Sequence, residues 1–362
     1  MTEVTIDADR FVDVVEQAAR FSEKANASFS RITGLHITID PVKMPGFVLM
    51  RSTDGTCRFS RFVSAEVSGE AAQWRLPIGE VAKIAGGMSS MGAPVLLMDG
   101  EPMLRLKATG VKAKIPMIQD PDFLSWDIVN PASLHEAPDF IERLKSVEWA
   151  CSDEAMSGVL AGVFVTPAYM AATNRYRLAY SDKELPEGIG SGILPQNTLT
   201  RIISEDYDPL ITITGSELIA QVDAYSQVRI TLIEGDQPEI GRLVEQMNRP
   251  VSARIEASEL IDVVRRAQQF ADADRQADFI FGTDELMILS GGGERSVVQT
   301  SVPLIESLPQ ESTATIRFNV SYLLSTLRGA KGEVVIGFDA PTAPVSVQTS
   351  RSRSLLMPVK PR

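Results

Sequence analysis

Two histidines, His36 and His135, and two cysteines, Cys57 and Cys151, are the whole supply of imidazole and thiol in 362 residues. Neither histidine has a second His or a Cys at ligand spacing, so a structural zinc site is not expected. One histidine would suffice for a Ser-His-Asp triad, but no nucleophile with a paired base accompanies either of them. The carboxylates that acid–base catalysis would draw on are Asp153 and Glu154, near Thr173. The run GGGE, Gly291 to Glu294, reads as a turn rather than a phosphate cradle, and no Gly-rich phosphate loop occurs elsewhere. Two cysteines allow one disulfide at most and no framework of them. The reactive side chains therefore point away from catalysis, metal and organic cofactors. An enzyme using Asp153 and Glu154 is the weaker alternative.

What remains is binding chemistry, carried by apolar and cationic surfaces. An apolar share of 44% is enough to fill real cores. No run of about 18 apolar residues occurs, and charged residues stand where a signal peptide is apolar, so a soluble, cytoplasmic protein without membrane contact is expected. The formal charge of −12 argues at first against nucleic acid, since phosphate contacts need Lys and Arg. A net charge is an average, however, and a basic stripe on an acidic body is invisible in it.

The elements that would carry such a stripe are written repeatedly. In DADRFVDVVEQAARFS (7–22), Phe11, Val14, Val15 and Ala18 fall at helical spacing and form a stripe that must face a core. The segment returns as EASELIDVVRRAQQFA, in which Ala257, Asp262, Val263, Val264, Ala267 and Phe270 repeat Ala8, Asp13, Val14, Val15, Ala18 and Phe21. A fainter copy, EAPDFIERLKSVEWAC, places Phe140, Ile141, Leu144 and Val147 on Phe11, Val12, Val15 and Ala18. Self-similarity at a long fixed period means a repeated architecture, here a triplicate. Asp7 and Asp9 favour the start of the first helix, and Ser258 is a suitable cap for its third copy.

Alternating segments follow each helix, then a second helix: LPIGEVAKIAGGM, LPQNTLTRIISED and FNVSYLLSTLRGAKG. These align Val81 with Leu199 and Leu323, and Ala85 with Ile203 and Leu327. A hairpin and a closing strand complete each copy. The order helix, strands, helix, strands predicts an α+β class, with helices on one face of antiparallel sheets. Proline and short polar residues place the joints near Asp120–Glu136 and Asn248–Glu256. The expected domains are 1–127, 128–250 and 251–362.

Three segments carry a resemblance. Ala172-Thr173-Asn174-Arg175-Tyr176-Arg177-Leu178-Ala179 looks like an A-T-D-G-H-R-L-A motif, Phe318-Asn319-Val320-Ser321-Tyr322 matches F-N-V-S-Y, and Leu355-Leu356-Met357-Pro358 resembles a V-V-M-P tail. In this order, on a triplicated chain, they resemble the bacterial sliding clamp, the beta subunit of DNA polymerase III. The resemblance covers the whole chain. It implies a non-catalytic processivity factor: a head-to-tail homodimer forming a six-unit ring around double-stranded DNA, read without sequence preference. The partners implied are the replicative polymerase, the clamp loader and other proteins with a clamp-binding motif. A clamp-like scaffold that binds such proteins without encircling DNA is the other reading.

Twelve helices side by side at about 10 Å spacing give an axis circle about 38 Å across and an opening of roughly 28 Å. The cations expected to face DNA there are Arg20 and Lys24, Lys83, Lys145, Arg201, Arg265 and Arg266, and Arg328 and Lys331, strongest on the third copy. Lys83 and Arg201 share one repeat position, whereas Arg143 falls at an apolar one and is set aside. The resemblance also implies a hydrophobic cleft for partner peptides, built from Leu160, Thr173, Arg175, Tyr176, Arg177, Leu178, Pro238, Leu243, Asn319, Tyr322, Ser346, Leu355, Met357, Pro358 and Val359. Asn174 and Arg175 stand where the family has Asp-Gly, and Tyr176 where it has His; their bulk is expected to narrow the cleft and alter peptide choice. Pro361 and Arg362 extend the tail past the family's usual end.

Overall fold

The stripe that opens the chain goes inward: Phe11, Val14, Val15 and Ala18 are completely buried, as are Leu260 and Val264 in the third copy. The structure is a computed structural model and describes residues 1–22, 33–88, 95–98, 102–119, 126–202, 208–272, 274–291 and 296–359.

The first third of the chain forms β1 (Glu3–Ile6), α1 (Ala8–Arg20), β2 (Leu35–Ile39), β3 (Phe47–Thr53), β4 (Cys57–Ser64) and β5 (Glu66–Ser68). It continues with β6 (Ala72–Leu76), α2 (Ile78–Gly86), β7 (Val95–Met98), β8 (Met103–Ala108) and β9 (Val111–Pro116). The middle third forms β10 (His135–Glu136), α3 (Phe140–Val147), β11 (Gly162–Val165), β12 (Met170–Thr173), β13 (Arg177–Ser181) and β14 (Gly192–Pro195). There follow α4 (Leu199–Ile202), β15 (Leu210–Thr214), β16 (Glu217–Gln221), β17 (Ser226–Thr231) and α5 (Ile240–Glu245). The last third forms β18 (Val251–Glu256), α6 (Ala257–Phe270), β19 (Gln276–Phe281), β20 (Glu285–Ser290) and β21 (Val298–Pro303). It ends with β22 (Ala314–Asn319), α7 (Val320–Thr326), β23 (Glu333–Phe338), β24 (Val345–Gln348) and β25 (Arg353–Leu356).

The α+β class and the antiparallel sheets are as the sequence predicts. Asp7 caps α1, its side chain accepting from the backbone N–H of Arg10 at 3.1 Å, and Asp9 lies in the first turn. Ser258 does not cap α6. The strand β18 runs directly into the helix, Glu256 takes the cap position without a side-chain bond, and Ser258 already lies in the first turn. The N–H of Ala257 is satisfied instead by the Gly332 carbonyl at 2.7 Å. In the middle copy the second helix is described over Leu199–Ile202, and Ile203 lies outside the described residues.

Sheet topology is where the copies meet. One eight-stranded sheet runs β10-β15-β16-β17-β4-β3-β2-β6, so that β17 of the middle copy pairs with β4 of the first, Val228 facing Phe59. The other runs β14-β11-β12-β13-β25-β24-β23-β18, where β25 of the last copy pairs with β13 of the middle one, Leu178 facing Leu355. A five-stranded sheet, β5-β1-β7-β8-β9, and a four-stranded one, β21-β20-β19-β22, hold the remaining strands.

The chain packs as two compact units, residues 1–138 with 188–190 and 197–232, and residues 139–187 with 191–196 and 233–362. The middle copy thus lends β10 and β15–β17 to the first unit and α3 and β11–β14 to the second. In the second unit α6 and α7 cover a core built on Phe279, Phe281, Ile288, Ile316 and Phe338. A smaller core, around Phe164, Ala171, Leu178, Ile193, Ile240, Met247 and Leu355, lies under the hairpin β12–β13.

Candidate functional site

The hairpin joining β12 to β13 is tied by its own short side chains. The Thr173 hydroxyl donates to the Arg177 carbonyl at 2.7 Å and accepts from the Arg175 N–H at 3.2 Å. Asn174 Oδ1 accepts from the N–H groups of Tyr176 and Arg177, both at 3.1 Å. Closing so tight a turn forces Arg175 to φ 77°, a left-handed conformation that favours glycine. Replacing Arg175 by Gly removes the Cβ strain, and we expect it to raise stability by about 1 kcal/mol, read from urea unfolding midpoints.

This turn and the last strand frame a cavity of about 490 Å³. Pairing of β25 with β13 brings Leu355 opposite Leu178, and the Met357 N–H donates to the Tyr176 carbonyl at 2.9 Å, which fixes the tail beside the turn. Leu178 and Leu355 belong to the core beneath, and Val159, Leu160 and Leu243 pack on it from the sides. Gly235, at φ 135°, lets the chain pass where a Cβ would sit 2.6 Å from Val159. The rim is amphipathic. Tyr176 is 63% and Met357 42% exposed, large apolar surfaces left open at the mouth.

Arg177 lines the same cavity yet is buried. Its guanidinium lies 4.6 Å from the Tyr322 ring centroid and 5.7 Å from that of Trp149. Nη2 donates to the Cys151 carbonyl at 3.1 Å, and Nε is buried without an acceptor among the described residues. Burial pulls its pKa below the ordinary value, against the opposite pull of Tyr322, Asp153 and Cys151.

Of the residues expected in the cleft, Leu160, Thr173, Arg175, Tyr176, Arg177, Leu178, Pro238, Leu243, Leu355 and Met357 line the cavity. Five do not. Asn319 caps α7, accepting from the N–H groups of Ser321 and Tyr322 at 3.0 and 3.3 Å, and Tyr322 stands behind the wall under Arg177. Ser346 lines a separate pocket. Pro358 and Val359 leave with the chain, the Val359 N–H donating to the Arg317 carbonyl of β22 at 2.8 Å. Ser157, Val159, Asp236, Gln246 and Pro344 complete the lining and were not expected; Val159 and Asp236 flank expected residues, which is the only local signal they give.

The expected helix cations are mostly on open faces. Arg20, Lys83, Lys145, Arg265 and Arg266 are exposed on their helices, while Arg328 and Lys331 are exposed but follow the end of α7 at Thr326 instead of lying on it as expected. Lys24 lies outside the described residues. Arg201 departs from the expectation of a free cation: it is half-buried and bonded to the Asp54 carboxylate, a partner that Lys83 at the matching position lacks. Arg143 is buried as its apolar repeat position implies, reaching Ser181 Oγ and the Glu184 carbonyl at 3.4 Å. In α2, α3 and α6 the exposed base follows an acid by three residues, as Glu80–Lys83, Glu142–Lys145 and Asp262–Arg265. The faces are therefore mixed in charge. Burial also lifts the Glu148 carboxyl above its usual range, while Arg328 and Lys145 pull it back.

The reactive groups stay quiet. Burial pushes the Cys57 thiol up to about 11 and the Cys151 thiol up to about 12, so neither offers a thiolate at neutral pH. The Asp153 side chain is 92% exposed and stands 4.0 Å from Arg177. Among the described residues no three His, Cys, Asp or Glu side chains are placed to hold a metal, the GGGE turn lies mostly outside them, and no helix is long and apolar enough to cross a membrane.

No protein-family model matches the chain, and no curated protein matches it. Solved structures do. The DNA polymerase sliding clamp of Bacillus subtilis superposes with a TM-score of 0.86 at 17% identity, covering 100% of both chains. The DNA polymerase III subunit beta of Pseudomonas aeruginosa gives 0.86 at 16%, covering 99% of this chain and 100% of that one. The Helicobacter pylori beta clamp bound to a DNA ligase peptide gives 0.84 at 16%, with the same coverage. The fold is that of the bacterial beta clamps from end to end, as the three sequence segments imply.

Proposed function

We propose that this chain is a DNA sliding clamp, a non-catalytic ring of two copies that encircles duplex DNA and tethers DNA polymerase and other DNA-processing proteins through the cavity beside Arg177. The observation that carries the ring is a rule already obeyed twice within the chain. The strand closing the last copy, β25, pairs with β13 of the middle copy, and β17 of the middle copy pairs with β4 of the first. The next step in the series is β9 of the first copy onto β21 of the last, and among the described residues these two strands are not paired with each other. Both strands are the outer members of their sheets among the described residues, and both leave every second side chain exposed. Open edges of this kind call for a partner. Two head-to-tail copies satisfy the rule at both ends and close, since each supplies one β9 and one β21.

The helices bring exposed cations to such a ring without forming a uniformly basic lining, which suits loose, sequence-independent phosphate contact. A clamp must hold by topology and slide. The partner site rests on the apolar cavity, its exposed Met357 and Tyr176, and the peptide-bound H. pylori relative.

The test is retention by linkage. Assembled on nicked circular plasmid with the clamp loader of the same source, the protein is expected to co-elute with DNA on gel filtration and to be lost once the plasmid is linearised. Retention on linear DNA, or a single-chain mass by light scattering at micromolar concentration, overturns the ring and leaves the scaffold reading.

A further inference from the structure

A second, smaller pocket of about 200 Å³ lies in the second unit, where β18, β23, β24 and β25 adjoin. Its lining contains two arginines, Arg249 and Arg353, and the serines Ser252, Ser346 and Ser354, with Asn248 and Gln348; no Asp or Glu lines it. That is unusual in a chain of net charge −12. Arg249 is the informative residue. Its Nε and Nη2 are buried and meet no acceptor among the described residues, although a buried guanidinium N–H left unbonded is strongly unfavourable. Ser354 is completely buried and its hydroxyl is likewise without a partner. The Arg353 side chain makes a long hydrogen bond, Nη2 donating to Asn248 Oδ1 at 3.4 Å.

The backbone keeps this space open. A Cβ on Gly337 would stand 2.4 Å from Ser346 Oγ and 3.0 Å from Arg249 Cβ, so the absence of a side chain there lets the two polar residues share one wall. Unbonded donors alone would be served by water. Two arginines lining one pocket with no carboxylate among the lining residues leave it short of negative charge, which water does not supply and an anion does. The lining donors, Arg249, Arg353 and three serines with Asn248 and Gln348, exceed what the two oxygens of a carboxylate take up. The cavity is below the roughly 300 Å³ at which pockets for drug-sized ligands begin.

We propose that this pocket binds a single tetrahedral oxyanion of the phosphate class, either as the free ion or as the phosphate of a small phosphomonoester. The assignment is independent of the ring and of the peptide cavity. Titration calorimetry with inorganic phosphate at constant ionic strength, with AMP and with acetate in parallel, tests it on the full chain. Phosphate is expected to bind, acetate at least tenfold more weakly, and Arg249→Gln to weaken phosphate at least tenfold. Tighter binding of AMP than of phosphate identifies the phosphomonoester as source, and the reverse order the free ion. Arg353→Gln, whose side chain is partly exposed, supplies the same comparison if Arg249→Gln does not fold. Absence of phosphate heat in the wild type, equal binding of acetate, or undiminished binding by both variants overturns the proposal.

Discussion

Met357→Asp combined with Leu243→Asp is expected to weaken a partner peptide by at least about 100-fold, roughly 2.7 kcal/mol, while leaving retention on circular DNA intact. Both side chains line the cavity, and Met357 projects 42% of its surface to solvent, so a carboxylate there meets water in the free protein and an apolar anchor only in the complex. The cost of the substitution therefore falls on binding. Charge at the centre of an apolar pocket must be desolvated by the incoming peptide, which is why two such changes exceed the loss from two truncations. Fluorescence anisotropy with a labelled peptide from the cognate polymerase, carrying adjacent bulky apolar anchors, reads the effect. An unchanged affinity would falsify the assignment of this cavity as the partner site without touching the ring, whose edges lie on other strands.

Arg177→Ala is expected to lower the unfolding free energy by about 3 kcal/mol. The guanidinium is held between the rings of Tyr322 and Trp149 and bonds the Cys151 carbonyl. Its removal takes away two cation–π contacts of about 1 kcal/mol each and leaves that carbonyl without a donor. The unbonded Nε partly offsets this loss, since burying it is unfavourable in the native chain. Asp153 adds little, being exposed and 4.0 Å away. Arg177→Lys is expected to recover less than half of the loss, because an ammonium lacks the planar fork that reaches the carbonyl between two rings. Urea denaturation of the three proteins provides the numbers; a variant Arg177→Ala within about 0.5 kcal/mol of wild type would show that the rings pack equally well without the cation.

How much of this was legible beforehand depends on the range of the signal. The core stripes of α1, α3 and α6 were readable because helical spacing is local and three copies repeat it. Four of the open cations, Arg20, Lys145, Arg265 and Arg266, lie on the same three helices. Arg201 did not, since its partner Asp54 is 147 residues away and nothing in LTRI announces it. The cleft was traceable through the hairpin 172–179 and the tail, each a contiguous motif. Gln246 and Pro344 join it only through tertiary packing of the end of α5 and the β23–β24 turn, so no short segment marks them. Asn319 and Tyr322 illustrate the converse: both serve the wall from behind, one as a helix cap and one as the ring under Arg177. The exchange of strands between copies had no local signal. Register between β17 and β4 is set by side chains far apart in the chain.

That exchange makes the sequence repeat a poor module. Cutting the chain between its first and second copies would strip β17 from β4 and expose Phe59 and Val228, which are at most 1% accessible in the intact sheet. Each fragment would carry a long apolar edge with unsatisfied backbone groups, a template for aggregation rather than a free-standing domain. A chain built this way can be lengthened or shortened only by inserting the pairing partner together with the strand it covers. The sequence repeats as three copies, but the shared sheets tie each copy to its neighbour.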